Sequence, residues 1–174
     1  MAQLKRKDFA HYFDTSATGE ANWELEGIGV EALSLSYNPQ IDTFKQIIDD
    51  VASSTFDSYQ IQSSVSGKRI DKDDKIWKWL NEARKKAESI ETKMLEVDMS
   101  SASGSASTQY EALQYNVLIV INEFLGENAT ISYDVYVKGK PTIGTVSISN
   151  KKPTFTPKAG WYKGLGISLN LILI

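Results

Sequence analysis

The 174-residue chain contains no cysteine, a single histidine (His11) and four prolines. Without cysteine it has no disulfide framework, no thiolate nucleophile and no Cys-based zinc site. With one histidine, a Ser-His-Asp triad or a His-rich metal centre would have to be built around one imidazole in a polar segment near the amino terminus. Excess positive charge is missing too: 19 Lys and Arg stand against 22 Asp and Glu, a formal net charge of -3. Holding nucleic acid by neutralising phosphates needs the opposite sign, so no DNA clamp is expected. The longest apolar run, residues 167–174, is interrupted by Ser168 and Asn170. It falls far short of the roughly 20 residues that span a bilayer and reads as a strand. After Lys5, Arg6 and Lys7 come Asp8, Phe9, Ala10 and His11, where a signal peptide needs unbroken apolar residues, so none is expected.

What is present fits one globular domain, with 41% hydrophobic and 24% charged residues. A chain of this length buries roughly 70% of its unfolded surface and needs no staple. Residues 1–20 are polar and mixed and read as an arm. In residues 30–37, Leu33, Leu35 and Tyr37 alternate with Ser34 and Ser36 as a half-buried strand, stopped by Asn38-Pro39. Residues 38–57 read as a long loop that is unusually apolar for a connection. Ile41, Phe44, Ile47, Ile48 and Val51 are spaced as one face of a short helix, folded on its own core or packed on a neighbouring subunit.

Residues 58–66 alternate again as a strand ended by Gly67, after which the period changes. Over residues 71–88, Ile76, Leu80, Ala83 and Ala87 recur at helical spacing. Asp71, Asp73 and Asp74 stand at the start and Arg84, Lys85 and Lys86 at the end, each sign where the helix dipole favours it. Trp79 lies off this stripe, so it either covers the core edge or meets another chain. Residues 90–99 read as a strand, residues 100–108 as a Ser-Gly-rich hairpin tip, and residues 115–124 as a strand buried on both faces. Two further strands, residues 129–137 and 143–148, are separated by a turn at Lys138, Gly139, Lys140 and Pro141.

Chemistry-bearing motifs are weak. Gly27-Ile-Gly29-Val-Glu-Ala32 spells a dinucleotide-binding turn but leads into a strand pattern where that turn needs a helix. Asp71-Lys-Asp73-Asp74 faintly resembles a calcium loop, yet Ile76 stands where glycine is required, and helix capping accounts for the aspartates better. No catalytic constellation stands out, and neither enzyme activity nor any cofactor or metal is expected.

The order of several stretches resembles the major tail tube proteins of long-tailed bacteriophages, related in fold to the tubes of contractile tails, tailocins and type VI secretion systems. These stretches are Tyr37-Asn38-Pro39 with the loop to Phe56, Tyr59-Gln-Ile-Gln-Ser-Ser, and Asp71-Lys-Asp-Asp-Lys-Ile-Trp-Lys-Trp-Leu. They continue with residues 112–124 and Gly126, Val137-Lys-Gly-Lys-Pro-Thr-Ile-Gly-Thr-Val, and Pro153-Thr-Phe-Thr-Pro157. Together they cover roughly residues 23–157.

The resemblance implies a mainly β (α+β) domain, an antiparallel β-sandwich or half-barrel flanked by one helix, with a long inter-subunit loop. It implies a structural virion protein that is assembled in the bacterial cytoplasm and ends up in the virion tail. Six copies would form a ring, and rings would stack into a tube around a tape-measure protein. Its other partners would be tail-tip initiator and terminator proteins; DNA would pass without specific binding, and no membrane is involved. Subunit-interface candidates are Pro39, Ile41, Phe44, Ile47, Ile48, Trp79 and Trp161. Glu91, Glu96, Asp98, Glu111 and Glu123 are candidates for the lumen, where six copies at -3 each would repel phosphate. Residues 158–174 depart from the family pattern and are expected to pack as an arm or strand. The competing reading is a non-polymerising β-sandwich binding module, a tail terminator or a receptor- or carbohydrate-binding subunit, with Trp161 and Tyr162 as its candidate contacts.

Overall fold

The computed structural model describes residues 8–16, 19–31, 33–45, 51–102 and 109–158. Among these, nine strands, one α-helix and a short 3-10 turn (Met99–Ser101) follow in chain order. The strands are β1 (Phe9–Asp14), β2 (Trp23–Glu26), β3 (Pro39–Phe44), β4 (Ser53–Tyr59) and β5 (Gln62–Arg69), then β6 (Ile90–Asp98), β7 (Gln109–Leu125), β8 (Thr130–Ser149) and β9 (Lys152–Pro157). The helix α1 (Lys75–Lys86) lies between β5 and β6. Seven strands form one antiparallel sheet in the order β2-β1-β6-β7-β8-β5, with β9 also on β8; β3 and β4 pair only with each other. The 20-residue β8 carries two neighbours on one edge, β5 along its first half and β9 along its second.

Because alternate side chains of a strand point to opposite faces, this sheet feeds a core on each face. Phe13, Met94, Tyr115, Val117, Ile119, Ile131, Tyr133 and Val135 are buried on the face covered by Ile76 and Leu80 of α1. Tyr12, Trp23, Leu95, Val97, Ala112 and Val146 are buried on the other, with Phe155 of β9 against them. The sheet curls round this second core until β2 comes beside β9 without a ladder between them. The result is the expected mainly antiparallel near-barrel flanked by one helix.

The helix is shorter than residues 71–88. Its cap is Asp74, whose Oδ1 accepts from the Ile76 amide at 2.9 Å, while Asp71 accepts from the Asp73 amide at 2.8 Å in a turn before the helix starts. Arg84, Lys85 and Lys86 occupy the last turn, and Ala87 closes it in the left-handed region at φ 54.

Four expectations are corrected. The amino-terminal arm contains β1, a strand between β2 and β6 in which His11, Tyr12, Phe13 and Asp14 are all buried. The helix or loop across residues 40–56 is instead a β-ribbon, since Ile41 and Phe44 lie in β3 and Phe56 in β4; residues 46–50 lie outside the described residues. The described residues of 30–37 form no regular strand, only the single bridge Ser36–Gln62. The two strands expected after residue 129 are one, β8. Gly139, Lys140 and Pro141 are extruded opposite Tyr115, because Asn116 pairs with Lys138 while Gln114 pairs with Thr142. Gly139 supplies the positive φ of 77 that this bulge needs, and Pro141, having no N–H, sits where no ladder bond is required.

The Gly27-x-Gly29 motif serves packing. Gly29 has φ 74, its carbonyl accepts from the Arg69 amide at 3.0 Å, and a Cβ there would collide with the Arg69 carbonyl.

Candidate functional site

The structure's most conspicuous surface is the β3–β4 ribbon. Backbone bonds join residue 29 to 69, 36 to 62 and 38 to 60, and the ladder joins 39 to 59, all in one antiparallel register. Residues 29–31 and 33–44 therefore run antiparallel alongside residues 53–69. The base of this pairing lies on the outer edge of β5, and its far half, β3 and β4, leaves the sheet.

Every residue of β4, and every residue of β3 except the half-buried Gln40, is exposed. The register slips between Gln40 and Ile41, which pair with Ser58 and Phe56, so Asp57 is bulged. The bulge restores Pro39, Ile41, Phe56 and Tyr59 to one face, where the Phe56 and Tyr59 rings stand 4.8 Å apart and Tyr37 meets Tyr59 edge-on at 5.8 Å. This apolar stripe is more than half exposed at Ile41 (58%), Phe56 (53%) and Tyr59 (57%), and Phe44 is 66% exposed on the opposite face. An isolated two-stranded ribbon is marginal in water, so its exposed hydrophobic residues call for a covering surface.

Of the interface candidates, Pro39, Ile41 and Phe44 lie on this ribbon. Ile47, Ile48 and Trp161 lie outside the described residues, as do residues 159–174 and the hairpin tip at 103–108. Trp79 is half-buried on the chain's own core, its ring 6.3 Å from Phe13.

The five lumen candidates do not share a face. Asp98 pairs directly with Glu111, and Glu96 is two residues along on the same side of β6; these three lie on the helix side of the sheet, beyond the helix itself. Glu96 stands 3.6 Å from His11, placing that histidine in the sheet and not in a free arm. Glu91 points to the opposite face and pairs with Lys138 at 3.0 Å. Glu123 joins that face because the register between β7 and β8 shifts after Ile121. Asp134 lies there as well, its carboxyl held below the usual range by hydrogen bonds from Ser64 and Asn122.

One cluster went unforeseen. Lys68 is wholly buried, with Nζ 3.1 Å from Glu26 Oε1 of β2, 2.9 Å from Asp74 Oδ2 at the helix cap and 2.7 Å from the Ile28 carbonyl. Tyr133 of β8 donates to Glu26 at 2.5 Å. The pattern of β5 hides the lysine: Ser63 and Val65 point inward, and a bulge at Ser66-Gly67 then turns Lys68 inward as well. Burial pushes the Glu26 carboxyl up, against the opposing pull of Lys68 and Tyr133.

Burial, followed by the Glu26 charge, raises the Tyr133 phenol well above its ordinary 10.0. Above pH 10 the unfolded chain loses this proton and the folded chain keeps it. Stability is thus untouched by this group below pH 10 and falls above it by about 1.4 kcal/mol per pH unit. Urea unfolding between pH 9 and 11 checks this, with Tyr133→Phe expected to remove that part of the slope.

No family model matches the chain, and no curated protein matches it. Among solved structures, it is similar to a chain in the cryo-EM structure of the anti-feeding prophage (AFP) baseplate, 6-fold symmetrised. The likeness covers 84% of this chain and 98% of that one, at 8% identity and a TM-score of 0.46.

Proposed function

We propose that this protein is a structural, non-enzymatic subunit of a phage-type tail tube that assembles with copies of itself into stacked hexameric rings. The observation that carries the reading is the β3–β4 ribbon, which projects from the sheet with Tyr37, Ile41, Phe56 and Tyr59 uncovered. A second copy supplies the cover: the ribbon of one subunit lies on the body of the next, a heterologous contact that closes when the rotation returns to its start. The outer edges of β2 and β9, which carry no ladder among the described residues, are further places for neighbouring subunits to pair. The sequence resemblance names the assembly; the ribbon gives it a physical contact.

In this reading the channel wall is the part of the helix-free face beyond the second core, where α1 covers the opposite side of the sheet. Glu91, Glu123 and Asp134 would then face passing DNA, while Glu96, Asp98 and Glu111 would not. Tape-measure, initiator and terminator proteins remain the partners this role requires.

Light scattering of concentrated protein tests the reading. The wild type is expected to form large assemblies, and a variant in which residues 40–58 are replaced by an Asn-Gly turn is expected to stay monomeric with an unchanged thermal midpoint. Equal scattering from both would refute the ribbon's role.

A further inference from the structure

Lys68, Glu26 and Asp74 come from three elements and meet at one point with side-chain exposures of 0%, 0% and 3%. A dry amine held against two carboxyl groups is arranged for more than an ion pair. We propose that Lys68 and Asp74 join in a self-formed amide cross-link, with Glu26 relaying the protons. This inference is independent of the assembly role.

The two oxygens of Asp74 are already differentiated. Oδ1 accepts the cap bond from the Ile76 amide at 2.9 Å, whereas Oδ2 has no hydrogen-bond partner among the described residues and lies 2.9 Å from Nζ. Oδ1 can remain as the carbonyl oxygen of an amide and keep its cap bond, and Oδ2 is free to leave. Glu26 touches Nζ with both oxygens, at 3.1 and 3.2 Å, and its Oε1 also accepts from the Tyr133 hydroxyl. Burial holds its carboxyl above the ordinary range, so it can carry a proton at the moment of transfer. The Ile28 carbonyl, 2.7 Å from Nζ, is placed to accept the one N–H that the amide retains.

The step balances without a further reactant. Starting from the ammonium and two carboxylates, Nζ gives up two protons, and Glu26 passes both to Oδ2. The nitrogen lone pair forms the bond to Cγ, the Cγ–Oδ2 bond breaks with its electron pair, and one water leaves. Glu26 ends ionised as it began, and nothing is oxidised or reduced. The product ties Lys68 of β5 to Asp74 at the cap of α1 across the five residues between them. Burial favours it, because the charged groups that the bond removes are deprived of solvation there.

Intact-mass spectrometry of the full chain under denaturing conditions, after incubation at neutral pH, decides the matter. The expected mass is lower than the sequence mass by one water, and digestion is expected to give a branched peptide linking residues 68 and 74, with no tryptic cleavage after Lys68. Glu26→Gln and Asp74→Ala are expected to show their full sequence masses, and Asp74→Asn to form the same bond with loss of ammonia. The full sequence mass in the wild type overturns the proposal, and this reading needs no variant to fold. A water loss that leaves Lys68 open to acylation in the denatured chain overturns it as well, because that marks a succinimide and not a cross-link.

Discussion

Replacing Lys68 with methionine is expected to cost about 3–5 kcal/mol of stability, the largest effect of any single change considered. The substitution keeps most of the side-chain volume and removes the only cation at the cluster. Glu26 and Asp74 are then buried together without it, and the Ile28 carbonyl loses its donor. Part of the loss is limited by protonation of Glu26, which burial already encourages. At this chain length the thermal midpoint should fall by about 6–20 °C. Adding Glu26→Leu should restore much of it, since a buried ion cluster replaced by packed apolar groups is often neutral or better, and the double-mutant cycle isolates the coupling. The loss is expected whether the Lys68–Asp74 contact is ionic or covalent. A change below about 1 kcal/mol would mean that the cluster does not join β2, β5 and α1 energetically.

The second large effect leaves the fold alone. Ile41→Asp with Phe44→Asp is expected to change stability by no more than ordinary surface substitutions do, about 0.5 kcal/mol each, because both side chains are exposed on the ribbon. Assembly should suffer severely. Each buried apolar side chain contributes about 1.5–3 kcal/mol at a contact, so losing two and burying charge in their place should raise the concentration needed for assembly at least ~100-fold. Sedimentation velocity across a concentration series reads this directly. Unchanged assembly would place the subunit contacts elsewhere; a fall in monomer stability would place Ile41 and Phe44 in the chain's own core.

The sequence showed some of this architecture plainly and hid the rest for physical reasons. The helix was legible because Ile76 and Leu80 fall at helical spacing between acidic and basic ends, and both are buried in the structure. In β7 the unbroken run Val117-Leu-Ile-Val-Ile121 marks a strand at the centre of a sheet. β1 was illegible because its neighbouring residues Tyr12 and Phe13 point to different cores, so the alternation that marks a half-buried strand does not arise. β8 reads as two strands in the sequence because Gly139 and Pro141 are residues that usually end strands, whereas the ladder closes on either side of their bulge.

The site was half legible. The apolar residues of the ribbon drew attention to a surface in need of a partner, but Ile41 and Phe44, three apart, imitate a helix face and stand instead on opposite sides of a strand. The acids on β6 and β7 could not be sorted by face from the sequence, because Glu123 is redirected by a register shift that no residue type announces. Lys68 was hidden for a similar reason: only the bulge before it turns a surface-type residue inward to meet Glu26, 42 positions earlier.

Negative-stain electron microscopy of the concentrated full chain tests self-assembly most directly. Six-fold rings and hollow stacked tubes are the predicted result, with the Ile41 and Phe44 double variant showing neither. Dispersed single particles at every concentration, in the wild type as in the variant, would contradict a tube-forming subunit.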